Sequence, residues 1–89
     1  MIAEPRAGFV KDLKRRGLTP EEREILQGFL THINEDADLV ELYGEHALRE
    51  EWAGYLECHL AGDWLVIYKR LKGRIVLYRC GTHAELFLE

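Results

Sequence analysis

Hydrophobic spacing divides the 89-residue chain near residue 52. Before that point the apolar positions recur at helical intervals. Phe9, Val10 and Leu13, interleaved and followed by Lys11, Lys14, Arg15 and Arg16, give a short amphipathic helix that Gly17 ends. Thr19-Pro20-Glu21-Glu22 opens a second helix: Thr19 can cap it, Pro20 suits the first turn, and Glu22 stands three residues after the cap to complete a capping box. Ile25, Phe29 and Ile33 follow at i, i+4 and i+8, with Leu26 and Leu30 beside them. That single stripe runs to about residue 34 and suits a helix packed on a sheet. Residues 2–7 allow a short first strand, kept to an edge or an irregular start because Pro5 has no N–H for a ladder. Residues 35–51 read as acidic and turn-like.

After residue 52 the pattern becomes three apolar runs, near 52–60, 63–71 and 74–80, which predict strands. Ala61-Gly62 and Lys72-Gly73 supply two-residue hairpin turns, since glycine accepts positive φ. These turns imply a register in which Glu57 faces Val66, His59 faces Trp64 and Val66 faces Arg79. One face then carries Leu56, Cys58, Leu60, Leu65, Ile67, Val76, Tyr78 and Cys80, and should receive the helices. The other carries Tyr55, Glu57, His59, Trp64, Val66, Tyr68, Leu77 and Arg79. The expected fold is therefore α+β, with two N-terminal helices on one face of an antiparallel sheet of three to four strands, and a tail carrying His83 beyond it. At 89 residues one modest core is available, so the chain is read as a single domain over residues 1–89.

Composition changes this picture little. The 47% apolar and 31% charged content is ordinary for a globular protein. No apolar run approaches the roughly 20 residues of a membrane span, and the first residues lack the apolar stretch of a signal peptide, which points to an intracellular, cytoplasmic protein. Cys58 and Cys80 fall about 10 Å apart in the implied register, too far for a disulfide, and are expected to be core thiols. The net charge of −4 conceals an uneven distribution. Residues 1–18 carry five basic and two acidic side chains, residues 19–57 two and eleven, and residues 58–89 five and three. The whole is not the field of a strong nucleic-acid binder, but both ends can meet a polyanion.

The mixed face carries the chemistry. Glu57 and His59 are two apart on one strand and point the same way. Asp63 lies just past the turn, Arg79 reaches the face from the third strand, and His46 and His83 flank it in sequence. Three imidazoles, two carboxylates and a guanidinium suit cleavage of RNA without a metal. The 2′-hydroxyl is the nucleophile, imidazole or carboxylate takes its proton, a second imidazole protonates the leaving oxygen, and arginine answers the charge gained by the phosphorus centre. Trp64 or Phe87 could stack on a base. A zinc site of His46, His59, His83 and Asp63 is a competing arrangement, but no H-x-x-x-H or C-x-x-C spacing supports it.

Several stretches together carry a resemblance. They are His46-Ala47-Leu48, Trp52-Ala53-Gly54-Tyr55, Cys58-His59-Leu60, Asp63-Trp64-Leu65-Val66-Ile67-Tyr68 and Arg79-Cys80-Gly81-Thr82-His83-Ala84-Glu85-Leu86-Phe87. The chain resembles YafQ-type toxins of the RelE/ParE superfamily, densely over about half its length and in outline before that. The resemblance implies a small RelE-like fold and the toxin of a type II toxin–antitoxin system. It further implies a ribosome-dependent endoribonuclease that enters the ribosomal A site, cuts mRNA there and inhibits translation with no cofactor. A cognate antitoxin is the implied partner in a hetero-oligomer. Carried over by position, His46, His59, Asp63 and His83 are similar to the family's acid–base group, Arg79 to its phosphate-stabilising arginine, and Trp64 and Phe87 to its mRNA-positioning aromatics. Glu57 stands where the family pattern has Asp. The alternative is a binding protein of the same fold that does not cut RNA, either a gyrase inhibitor or an inactive antitoxin-binding relative. The full set of histidines favours the nuclease.

Overall fold

The two N-terminal helices form where capping and periodicity place them. A computed structural model describes residues 1–87. Strand β1 (Ile2–Pro5) leads into α1 (Ala7–Arg16), which stops at Gly17 with φ 66°, its N–H donating to the Leu13 carbonyl at 3.1 Å. Helix α2 (Pro20–Asn34) begins with the complete capping box. The Glu22 N–H donates to Thr19 Oγ1 and the Thr19 N–H donates to Glu22 Oε1, both at 3.1 Å. Arg16 and Glu22 then tie the end of one helix to the start of the next at 3.0 Å.

The acidic stretch holds more structure than its composition suggests. It contains α3 (Leu39–Tyr43), capped by the Asp38 carboxylate, then β2 (His46–Ala47) and a 3₁₀ turn over Glu50–Trp52. Strands β3 (Leu56–Ala61), β4 (Trp64–Leu71) and β5 (Arg74–Gly81) follow, and the chain turns into α4 (His83–Phe87). Residues 52–55, expected at the start of a strand, belong to the turn. The expected tail at His83 is helical because Thr82 and Glu85 form a second capping box. The Glu85 N–H donates to Thr82 Oγ1 at 3.2 Å and the Thr82 N–H donates to Glu85 Oε1 at 2.8 Å.

The sheet has five strands in the order β1-β5-β4-β3-β2 and is mixed, not an antiparallel sheet of three to four. β1 lies parallel to the first half of β5, with Pro5 on the open edge, and two-residue β2 adds antiparallel to β3. Helices α1 and α2 cover one side as expected. Phe9, Phe29, Ile33 and Leu39 pack there on Cys58, Val66, Tyr68, Ile75, Leu77 and Cys80. Leu65, Ile67 and Leu86 form a smaller core on the other side, flanked by Leu48, Trp52, Tyr55 and Phe87.

Register is where the sheet departs from the implied pattern. The first turn is Gly62-Asp63, not Ala61-Gly62. Moving a turn by one residue shifts the pairing by two and keeps the faces. An additional bulge at Leu60, between His59 and Ala61, supplies the odd residue that inverts them. Glu57 therefore pairs with Ile67 and His59 with Leu65. A second bulge, at Tyr78, makes Arg79 pair with Ile67 as well. The two bulges cancel for the outer strands, so Glu57, His59 and Arg79 still share a face. β4 is turned over, and so is β5 up to its bulge: Trp64, Val66 and Tyr68 go to the helix side, Leu65 and Ile67 go to the site side, and Val76 and Tyr78, expected under the helices, leave that side, with Tyr78 packing on Tyr55. Leu77 moves to the helix side, opposite Tyr68. Cys58 and Cys80 flank Val66 as free, buried thiols.

Candidate active site

Pairing with β3 gives His46 its place. It lies in β2 opposite Glu57, not in a loop. Its Nδ1 is 2.9 Å from the Gly44 carbonyl oxygen, which can only accept, so Nδ1 carries a proton and Nε2 faces the carboxylate. Nε2 is 3.0 Å from Glu57 Oε1, and His59 Nε2 is 4.0 Å from the same oxygen. The Glu57 side chain is only 4% exposed, and its Oε2 has no hydrogen-bond partner among the described residues. One buried carboxylate thus faces two half-exposed imidazoles.

His83 opens α4, where the Thr82 cap fixes its backbone. Its Nδ1 is 2.7 Å from Asp63 Oδ1, and its backbone N–H donates to the same oxygen at 3.3 Å. Asp63 occupies the β3–β4 turn, so the shifted turn is what brings this carboxylate to the ring. The hydrogen bond from the His83 side chain, helped by the backbone one, holds the Asp63 carboxyl below its ordinary range. The rings form a row. His46 and His59 stack at 6.2 Å, His59 and His83 lie 6.1 Å apart, and His83 and Phe87 lie 5.9 Å apart.

Arg79 is held from α1. Beyond Leu77 the β1 chain has left β5, whose open edge meets α1 instead. Arg79 Nε donates to Asp12 Oδ2 at 2.6 Å and Nη2 donates to Oδ1 at 3.1 Å. The Cys80 N–H takes the same Oδ2 at 3.0 Å. This fork raises the guanidinium pKa further above its usual value, first through the Asp12 hydrogen bonds. Arg79 also lines a cleft of about 740 Å³ with Trp52, Tyr55, Leu86 and Phe87. The role of Asp12 has a signal in the sequence. Phe9, Asp12 and Leu13 stand at i, i+3 and i+4, so an acid lies within the buried stripe of α1, where only a partnered one is tolerated.

Trp64 does not join these groups. Sequence placed it beside His59; the inverted β4 buries it on the helix side, 1% exposed, with the Arg16 guanidinium 4.5 Å above its ring. A base cannot stack there. The remaining residues collect into a His46–Glu57–His59 group, an Asp63–His83 pair beside Phe87, and an Asp12–Arg79 fork at the cleft. Among the described residues, no three His, Cys, Asp or Glu side chains are arranged to hold one metal ion.

The model of a family described as the bacterial toxin of type II toxin–antitoxin systems, YafQ, matches residues 1–88. The chain belongs to the YafQ family. The mRNA interferase toxin YafQ of Escherichia coli (strain B / BL21-DE3) is 35% identical over 80 residues, spanning 89% of this chain and 87% of that protein. YafQ from E. coli strain BL21(DE3) superposes with a TM-score of 0.79 at 29% identity, covering 96% of both chains. A chain in the E. coli DinJ–YafQ complex superposes at 0.75 and 32% identity, again over 96% of each. A metal-bound toxin from Helicobacter pylori superposes at 0.77 and 30% identity, covering 98% of this YafQ-family chain and all of that one. The RelE-like fold of these structures is the one seen here. No helix among the described residues is long and apolar enough to cross a membrane.

Proposed function

We propose that this single-domain chain is the toxin of a type II toxin–antitoxin pair that cuts mRNA in the ribosomal A site. The observation that carries the reading is the row of three imidazoles, two of them facing Glu57 and the third paired with Asp63, lying on the same side of the sheet as Arg79. The His46–Glu57–His59 group takes the 2′-hydroxyl proton; His59 is the member in ring contact with His83. The 2′ oxygen forms a bond to phosphorus as the bond to the 5′ oxygen breaks. His83, whose Nδ1 is engaged by Asp63, gives the departing oxygen a proton from Nε2, leaving a cyclic phosphate and a 5′-hydroxyl. The Arg79 N–H donors that Asp12 leaves free, on Nη1 and the outer side of Nη2, answer the charge that builds on the phosphate oxygens. Phe87, against His83, borders the place of the RNA.

The DinJ–YafQ complex supports an antitoxin partner for this chain as well. The cytoplasm, where ribosomes are, is the compartment this reading requires. Expression in a bacterial host, with 5′ ends of cellular mRNA mapped by primer extension, tests it. The expected result is growth arrest with new 5′ ends on translated mRNA, both lost in His83→Ala and in Arg79→Ala and both suppressed by the antitoxin. Full toxicity in both variants would sink the residue roles, and arrest without new 5′ ends would sink the nuclease.

A further inference from the structure

Trp52 has no part in the reaction as described, yet its surroundings single it out. The turn that carries it begins at Glu50, held at φ 55° in the left-handed region that a non-glycine residue rarely adopts. Four backbone hydrogen bonds close the loop: Trp52 N–H to Arg49 O, Ala53 N–H to Glu50 O, Tyr55 N–H to Trp52 O and Leu48 N–H to Tyr55 O, each 3.0 Å. They fix Trp52 as a wall of the cleft that Arg79 also lines. Phe87 meets its ring edge-on at 6.1 Å and an interplanar angle of 87°, so Trp52 continues the row that starts at His46. The neighbouring Tyr55 meets the Trp52 ring edge-on at 5.1 Å and is itself held by Tyr78 at 5.1 Å and by Lys69 Nζ 4.4 Å from its ring centre, so it supports the indole. The tryptophan named from sequence, Trp64, is buried on the far side of the sheet.

We propose that this cleft receives a nucleobase of the RNA adjoining the phosphate held by Arg79, stacked on Trp52 and bounded by Phe87. The proposal rests on the reading of the chain as an RNA-cutting toxin. Charge orients the nucleotide. Away from Arg79 the lining holds three carboxylates, Glu50, Glu51 and Glu85, against one further cation, Arg49, so it disfavours a phosphate; the backbone stays at Arg79 and the neutral base goes inward. Stacking on an indole tolerates any base, which suits a toxin that meets many codons.

Two measurements on the full chain test this. In ¹H–¹⁵N spectra the two indole N–H signals separate Trp52 from buried Trp64. Adenosine and cytidine 3′-monophosphates are expected to shift the Trp52 signal and leave that of Trp64 in place; inorganic phosphate should shift neither. A Trp52 signal unmoved by either nucleotide overturns the cleft. In a ribosome-programmed cleavage assay, Trp52→Ala is expected to slow cutting about tenfold, with Trp52→Phe recovering most of the rate. An abasic nucleotide beside the cut should slow the wild type by a similar factor and leave Trp52→Ala unchanged. Independent, multiplying losses overturn the proposal. If the wild type cuts no mRNA on ribosomes, the nuclease reading fails and the indole titration alone decides the cleft.

Discussion

At the scale of single residues, the site depends on partners as much as on the groups that would touch RNA. Asp12 is the clearest case. Its carboxylate holds both Arg79 and the Cys80 N–H from inside the α1 interface, with its side chain 4% exposed. Replacing it with Asn removes the charge and keeps the shape. Arg79 is one-third exposed, so water compensates part of the loss, and about 1–2 kcal/mol of stability is expected to go. Cleavage should fall with it while the pH profile set by the histidines stays put; denaturant melts and pH–rate curves check both. Asp63 gives a pH signature of its own. Its folded pKa lies below the unfolded value of roughly 4. The contribution to stability is therefore present above that pH and is lost as the pH falls through the folded value. Melts of Asp63→Asn should lie below the wild type at pH 5–7 and converge with it in stronger acid. Asp12 and Asp63 were both visible as letters, but only their contacts reveal what they hold.

At the scale of elements, capping sets α4 and bulges set the sheet. Gly81 has φ 155°, and a Cβ there would stand 2.7 Å from Glu85 Oε1, the oxygen that closes the Thr82 cap. Gly81→Ala should displace that carboxylate, cost about 1–2 kcal/mol, and loosen His83 at the head of the helix. Loss of mRNA cleavage exceeding the loss of thermal stability is the expected pattern; equal activity in a folded variant would argue against a fixed α4. Thr19→Ala, which breaks the equivalent box on α2, should cost about 1 kcal/mol by melting and leave the site chemistry intact. The α2 box was legible because Thr19 and Glu22 precede a long apolar stripe. The α4 box has the same spacing, but its helix runs for five of the described residues and no periodicity announces it. The face of β4 was illegible for a different reason. Trp64 to Tyr68 are all buried, so the strand is apolar on both sides and its sequence holds no alternation from which to choose.

At the scale of the whole molecule, two cores and an uneven charge distribution decide what the protein exposes. Cys58 and Cys80 sit in the larger core, and burial pushes each thiol up to about 12. Both should stay neutral through pH 6–9 and resist a thiol-specific disulfide reagent in the native state, then react with two equivalents on unfolding. Rapid native labelling would contradict the packing. Within the basic cluster after Tyr68, Arg70 pairs with Glu45 and Arg74 pairs with Glu4, while Lys72 makes no ion pair among the described residues. Lys11 and Lys14 of α1 are equally uncommitted there, so ribosome contact is expected to depend on α1 more than on the β4–β5 end. Lys11→Ala and Lys14→Ala should reduce the salt dependence of ribosome binding, each by a slope of about one. The sequence by itself determined the two N-terminal helices, the three main strands, the core thiols and the family, because caps, turns and spacing are local signals. Only the tertiary structure decided that β4 is turned over, that Trp64 is buried while Trp52 lines the cleft, and that Asp12 grips Arg79 across 67 residues. Each depends on which side of a sheet a residue meets, and a single bulge changes that without changing composition or period.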